Sequence, residues 1–92
     1  RSIYDPIIYP HWDKERQLKI AMKTEIEGLS LFYTFDNTIP DIYSNMYTDT
    51  LSIPQNASML RVAAYKGQEQ AGRLIDITID ALKKRAAEGE KK

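Results

Sequence analysis

The chain has 92 residues and a mass of 10.6 kDa, enough for one small domain with a thin core. Its 13 basic and 13 acidic side chains cancel, so no overall field favours binding to nucleic acid or an anionic membrane. Cysteine is absent, which excludes disulfides, thiol catalysis and thiolate metal sites. With 42% hydrophobic residues and no long apolar run, we expect a soluble globular domain without membrane insertion.

Apolar and polar residues alternate along much of the chain, which is the pattern of half-buried strands. The predicted strands, in chain order, cover residues 3–9, 17–24, 29–36, 51–53, 58–66 and 73–79. The first contains Pro6 and is therefore expected at a sheet edge. In the second, Leu18, Ile20 and Met22 share one face. In the third, Phe32 is an exception, because it falls on the otherwise polar face.

Turn-forming pairs such as Asp36-Asn37 and Lys66-Gly67 separate these strands, and no helical pattern interrupts them. Short strands at intervals of about ten residues are typical of an antiparallel sandwich. We therefore predict an all-β, immunoglobulin-like β-sandwich of six or seven strands.

Only the C-terminal segment is predicted to be helical. Asp80 is placed to cap a helix over residues 81–88, and Gly89 stands where that helix is expected to end. So short a helix is marginal unless it docks on the sandwich, for which Leu82 is the candidate. The predicted division is an N-terminal edge strand and linker (1–16), a β-sandwich domain (17–80) and a short helix with a frayed tail (81–92).

Residues suited to catalysis are scarce. His11 is the single histidine, in a predicted loop, so neither a nucleophile–base pair nor a histidine-rich metal site can form. Glu25 and Glu27 can share a face, but solvated edge charges explain them better than an acid–base pair. Asp36 and Asn37 are expected to hydrogen-bond their own turn rather than to hold calcium. We expect no enzymatic activity, no metal and no cofactor in this chain.

Five aromatic residues lie outside the most clearly predicted strands: Tyr4, Tyr9, Trp12, Tyr43 and Tyr47. Such rings pack within a thin core, dock on a neighbouring domain or stack on sugars. Core or interdomain packing is favoured, and glycan stacking stays open. These residues are the candidate interdomain or glycan-stacking surface.

Residues 31–72 carry the most specific pattern in the chain. It consists of Tyr33-Thr34-Phe35-Asp36, the turn Asn37-Thr38-Ile39-Pro40, then Ser44, Tyr47, Leu51 and Ile53, and the run from Leu60 to Tyr65 before Lys66-Gly67. This pattern resembles the C-terminal domain of chitobiases and β-N-acetylhexosaminidases, an immunoglobulin-like module of family 20 glycoside hydrolases. The sequence departs from the family pattern at two positions. Asn37 stands in place of the usual turn glycine, and asparagine tolerates positive φ. Thr50 stands in place of a proline that commonly precedes the short apolar strand.

The resemblance implies structural roles for the turn motif, which comprises Tyr33, Thr34, Asp36, Asn37, Pro40 and Gly67. The opening Ser2-Ile3-Tyr4-Asp5-Pro6 is similar to the strand by which such modules leave the catalytic barrel in Bacteroides-type enzymes. Family 20 enzymes use an adjacent Asp-Glu pair with the substrate acetamido group as nucleophile. This chain contains no Asp-Glu dipeptide, so the catalytic residues are expected in an upstream domain.

A non-catalytic accessory role follows from the resemblance. The chain starts at Arg1 without a signal-like segment, so we read it as a fragment of a longer protein, which the resemblance implies is an exported β-N-acetylhexosaminidase. The expected location is periplasmic, cell-surface or secreted. The expected partner is the upstream catalytic domain. The chain is expected either to pack against this domain or to act as a spacer for it. The alternatives are a carbohydrate-binding module for N-acetylglucosamine-containing glycans and a bacterial surface adhesion domain.

Overall fold

The structure is a computed structural model that describes residues 2–90. Within that range the elements are β1 (Ile7–Trp12), β2 (Leu18–Lys23), β3 (Ser30–Thr34), β4 (Asn45–Met46), β5 (Leu51–Ser52), β6 (Met59–Lys66), β7 (Glu69–Thr78) and α1 (Ile79–Glu90). The strands form a three-stranded sheet in the order β1-β2-β5 and a four-stranded sheet in the order β4-β3-β6-β7, both antiparallel. This order corresponds to A-B-E and C′-C-F-G of immunoglobulin-like sandwiches, so the predicted fold class is confirmed.

The core lies between the two sheets, where alternate residues of each strand point inward. The buried core residues on the strands are Leu18, Ile20, Met22, Leu31, Leu51, Leu60, Val62, Ala64 and Ile77. The inward face predicted from alternation for β2 is thus confirmed. β4 was not predicted, because Ser44 and Thr48, two residues on either side of Met46, are polar and no apolar alternation appears.

The N-terminal strand differs from its prediction. Residues 2–5 form a turn, in which the Asp5 N–H donates to the Ser2 carbonyl at 3.0 Å, and the strand starts only at Ile7. It then pairs with β2 along its whole length, and His11 lies in it rather than in the predicted loop. The segment 3–9 is therefore not a single strand, although β1 does occupy an edge of its sheet, as predicted.

The helix also differs from its prediction at both ends. It follows β7 directly and runs from Ile79 to Glu90, so Gly89 does not end it. The side chain that caps it is Thr78, whose Oγ1 accepts from the Ala81 N–H at 3.1 Å, rather than Asp80. Leu82 is fully buried, as predicted, and the helix packs against the edge strands β1 and β7. The predicted frayed tail beyond residue 90 lies outside the described residues.

The pairing of β6 with β7 contains an irregularity that positions the N-terminus. Val62 pairs with Ile75 and Ala64 with Ala71, so the register shifts between them. Gly72 lies in the shifted part of β7 with φ of +75°, a conformation that favours glycine. The result is a bulge in an edge strand of the four-stranded sheet.

Candidate functional site

The five aromatic residues singled out from the sequence lie on separate parts of the domain. Tyr4 is in the N-terminal turn, Tyr9 and Trp12 are on β1, Tyr43 is in the β3–β4 loop, and Tyr47 follows β4. Tyr4, Tyr9 and Tyr43 are exposed, with Tyr43 90% accessible, whereas Trp12 and Tyr47 pack against the core. The structure therefore does not assemble them into one flat platform.

Trp12 lines a groove of about 480 Å³ between the end of β5 and the start of the helix. The Arg16 guanidinium carbon lies 5.3 Å from the centroid of the Trp12 ring, and Arg16 is itself paired with Glu90 at 2.9 Å. One face of the ring is thus occupied by a cation. A sugar can stack on that face only after Arg16 has moved away.

Tyr47 packs against the core and joins the two sheets through hydrogen bonds. Its backbone N–H donates to the Leu31 carbonyl of the four-stranded sheet at 2.7 Å. Its hydroxyl accepts from the backbone N–H of Met22 in the three-stranded sheet at 3.1 Å. The ring fills space in the core while the hydroxyl satisfies a strand N–H.

The outer face of the four-stranded sheet carries an apolar row. Phe32 on β3 pairs with Met46 on one side and with Ala63 on the other, so the three residues share this face. Phe32 also contacts Tyr65 edge-to-face, with ring centroids 5.5 Å apart. Ala63 is completely buried beneath its neighbours, whereas Met46 is 51% exposed. We call Phe32, Met46, Ala63 and Tyr65 the outer patch.

None of the outer patch residues was among the candidates from the sequence. The one signal that pointed to it was Phe32, which interrupted the polar face of its predicted strand. Met46 was not recognised because β4 has two residues and no pattern. The grouping depends on the pairing of β3 with both β4 and β6.

A buried carboxylate anchors the N-terminal turn. Asp5 is 1% exposed, and its Oδ1 accepts from the Arg73 backbone N–H at 2.8 Å. Its Oδ2 accepts from Arg73 Nε at 3.1 Å, from Arg73 Nη2 at 2.8 Å and from the Ser2 N–H at 3.1 Å. These bonds, led by the Arg73 backbone N–H, lower the pKa of Asp5 to about 2. The bulge of β7 is therefore bonded to the first residues of the domain.

Gly72 makes this contact sterically feasible. A Cβ at this position would lie 2.8 Å from Asp5 Oδ1 and 2.9 Å from the carbonyl carbon and oxygen of Tyr4. Only glycine allows the turn to approach the bulge so closely. We call Ser2, Asp5, Gly72 and Arg73 together the N-terminal latch.

The turn motif quoted from the sequence forms a self-contained loop after β3. The Thr38 hydroxyl and backbone N–H both donate to Asp36 Oδ1, at 2.5 and 3.1 Å, and hold the pKa of Asp36 below its usual value. Thr34 Oγ1 donates to the Thr38 carbonyl at 2.6 Å, and Asn37 has φ of +69°. Asp36 thus bonds within its own turn, as predicted.

The remaining members of the motif are also placed by the fold. Pro40 is fully buried, and Tyr33 packs against the core with its ring edge-to-face on Phe35. Gly67 lies in the β6–β7 turn with φ of +62°. Each of these residues is accounted for by packing or by turn geometry.

Groups suited to catalysis are not brought together within residues 2–90. No three histidine, aspartate or glutamate side chains of that range form a cluster able to hold a metal ion. His11, Glu25 and Glu27 are exposed. The helix within those residues is also neither long nor apolar enough to cross a membrane.

The fold and these contacts place the chain among β-sandwich modules. In the described residues, the polar side chains shape turns and anchor segments of the chain. The family model for the chitobiase/beta-hexosaminidase C-terminal domain matches residues 13–75. Because the match covers more than half of the chain, the chain belongs to this family. Neither a curated protein nor a solved structure matches it.

Proposed function

We propose that this chain is the non-catalytic C-terminal accessory domain of a family 20 β-N-acetylhexosaminidase, and that it packs against the catalytic domain of the same polypeptide. The family match supports a place in glycoside hydrolases of this kind. The specific parent enzyme and its export to the periplasm, the cell surface or the medium are parts of the same proposal, suggested by the resemblance of residues 31–72. Its Bacteroides-type origin is suggested by the resemblance of residues 2–6.

The outer patch is the observation that carries the packing proposal. The outward face of a solvated sheet is normally polar, yet here Phe32, Tyr65 and the half-exposed Met46 lie together on it. Ile39 and Tyr43, which precede β4, are 68% and 90% exposed. Covering such side chains removes apolar area from water, which favours association with a neighbouring surface.

The carbohydrate-binding alternative receives less support. The five candidate rings are spread over four segments of the chain, and the Trp12 ring carries Arg16 on one face. Lys23 Nζ lies 5.3 Å from the centroid of the Tyr9 ring, so this exposed ring also has a cation beside it. A surface adhesion role would share the fold, and no contact among residues 2–90 favours it.

The proposal is tested by calorimetry of the full-length protein and of a variant that lacks residues 1–92. We expect removal of the domain to lower the melting temperature of the catalytic domain. We expect Met46→Glu in the full-length protein to reproduce much of that loss, because it places a charge in the proposed contact. The matched control is Tyr9→Glu, which changes a similarly exposed residue on the other sheet.

Two results would contradict the proposal. The first is a catalytic domain that melts at the same temperature with and without the domain. The second is equal behaviour of Met46→Glu and Tyr9→Glu. A parallel NMR titration of the 92-residue chain with chitooligosaccharides, followed at the Trp12 indole, tests the glycan alternative. Saturable shifts at Trp12 would favour carbohydrate binding instead.

A further inference from the structure

The N-terminal turn is part of the folded domain rather than a loose connection. Asp5 accepts hydrogen bonds from Ser2 and from both the backbone and the side chain of Arg73, although it is 1% exposed. A buried carboxylate is tolerated only when it is bonded and paired in this way. A flexible linker has no comparable anchor.

The bulge of β7 is shaped to receive this turn. The register shift and the positive φ of Gly72 place the Arg73 N–H opposite Asp5. With no Cβ at Gly72, the Tyr4 carbonyl can lie directly against the strand. Bulges of this kind re-aim a strand locally, and here the redirected N–H binds the incoming chain.

The same corner presents groups that the domain does not use internally. Ile3 is 53% and Tyr4 is 42% exposed on the anchored turn. The Arg73 side chain is 67% exposed, and Asp5 engages its Nε and Nη2, so part of its donor fork faces away from the latch. Beside it, Arg85 lines a shallow pocket of about 230 Å³ together with Asp5, Arg73 and Ile75.

We propose that the N-terminal latch fixes the point and direction at which the polypeptide enters the domain, at the β7 edge of the four-stranded sheet, and so orients the preceding catalytic domain relative to the outer face of that sheet. If this is a C-terminal domain, the catalytic domain lies before Ser2 in the polypeptide. The catalytic domain is therefore the partner that the latch brings to this corner. Its matching surface is apolar opposite Ile3 and Tyr4 and carries a carboxylate opposite Arg73 and Arg85. This inference rests on the proposed function.

The test uses the full-length protein with Asp5→Ala and, separately, Gly72→Ala. The first removes the anchor, and the second blocks the close approach by sterics without a change of charge. We expect both variants to increase the maximum dimension measured by small-angle X-ray scattering. We also expect cleavage by a non-specific protease ahead of Ile7 to become about tenfold faster than in the parent protein, because an unanchored turn opens readily.

Asp76→Ala is the matched control, because Asp76 is also an aspartate beside an arginine, Arg61, at 3.4 Å, and it lies on the same strand, β7, but outside the latch. It should leave both the scattering and the cleavage rate unchanged. If Asp5→Ala does not fold, Arg73→Lys takes its place in the test. This variant retains the backbone N–H bond to Asp5 and loses the two-point contact of the guanidinium with the Asp5 carboxylate.

The outcomes separate this inference from the proposed function. Two domains that already move independently in the parent protein would contradict the proposed function, whatever the latch does. Domains that are docked in the parent and remain docked, with an unchanged cleavage rate, in both latch variants would overturn the latch inference alone. Increased dimensions in Asp76→Ala equal to those in Asp5→Ala would overturn it as well.

Discussion

The outer faces of the two sheets differ although their inner faces are alike. On the three-stranded sheet, Lys23 lies over the ring of Tyr9, and Lys19 donates to Ser52 Oγ at 2.7 Å. On the four-stranded sheet, Phe32 and Met46 form part of an apolar row. Both inner faces are uniformly apolar because each covers the other. Burial within the domain therefore explains the inner faces, but it does not explain why one outer face is polar and the other apolar.

Among the variants considered, a substitution on an inner face should cause the largest loss of stability. Leu60 lies on the inner face of the four-stranded sheet and has no exposed area. Leu60→Ala should destabilise the 92-residue chain by about 2–5 kcal/mol, through lost burial and the cavity left behind. Urea denaturation measures it, with the exposed Ile39→Ala as the control, expected within about 0.5 kcal/mol of the parent. Equal midpoints for the two variants would contradict the assigned core.

The two outer faces are compared directly by truncating one ring on each. Phe32→Ala should cost about 2 kcal/mol, because this half-buried ring contacts Tyr65 and pairs with Ala63. Tyr9→Ala should cost less than about 1 kcal/mol, because its ring is 44% exposed and contacts a single cation. Denaturation of both variants in the 92-residue chain provides the values. A larger loss for Tyr9→Ala would reverse the comparison.

Tyr47 offers a test of the bond between the sheets. Tyr47→Phe keeps the ring in the core but removes the hydroxyl that accepts from the Met22 N–H. We expect a loss of about 1 kcal/mol in the free energy of unfolding, since a part-buried donor loses its partner. Tyr43→Phe, on a ring that is 90% exposed, should have no measurable effect. The bond is disproved if the two variants unfold alike.

The pH response of the N-terminal latch differs from the comparisons above because it is confined to acid pH. The pKa of Asp5 falls from an ordinary value of 3.8 to about 2 on folding, so the ionised form is the one that stabilises the latch. Its contribution is complete above about pH 4 and is lost as the pH falls towards 2. NMR of the Arg73 amide between pH 6 and pH 2 should show this transition. Asp5→Asn should abolish it, and a transition that persists would assign the shift to another group.

Much of the fold was predictable because its signals are local. The alternation of apolar residues assigned Leu18, Ile20 and Met22 to one buried face, and the structure agrees. The Asp36 turn was also predictable, since its hydrogen bonds span two residues of sequence. The cap at Thr78 was missed because Asp80, two residues later, matches the same local rule. Local patterns can propose a cap but do not rank two neighbouring candidates.

The site was less predictable, because it depends on contacts between distant segments. Asp5 and Arg73 are 68 residues apart, and no local pattern links an aspartate before a proline to a bulge in the last strand. Phe32 stood out in the sequence, but its neighbours Met46 and Ala63 were identified only by strand pairing. The register between strands is set by packing of the whole sandwich, which no single strand contains.

The sequence pattern was enough to predict the class of fold, the inward faces of the longer strands, the turn motif and the resemblance to a hydrolase C-terminal domain. These depend on side-chain periodicity and on short-range turn chemistry. The tertiary structure alone decided which sheet bears the apolar outer patch and where the N-terminus is anchored. Both depend on residues that meet through folding, because burial of Asp5 and alignment of Phe32 with Met46 exist only once the sheets have formed.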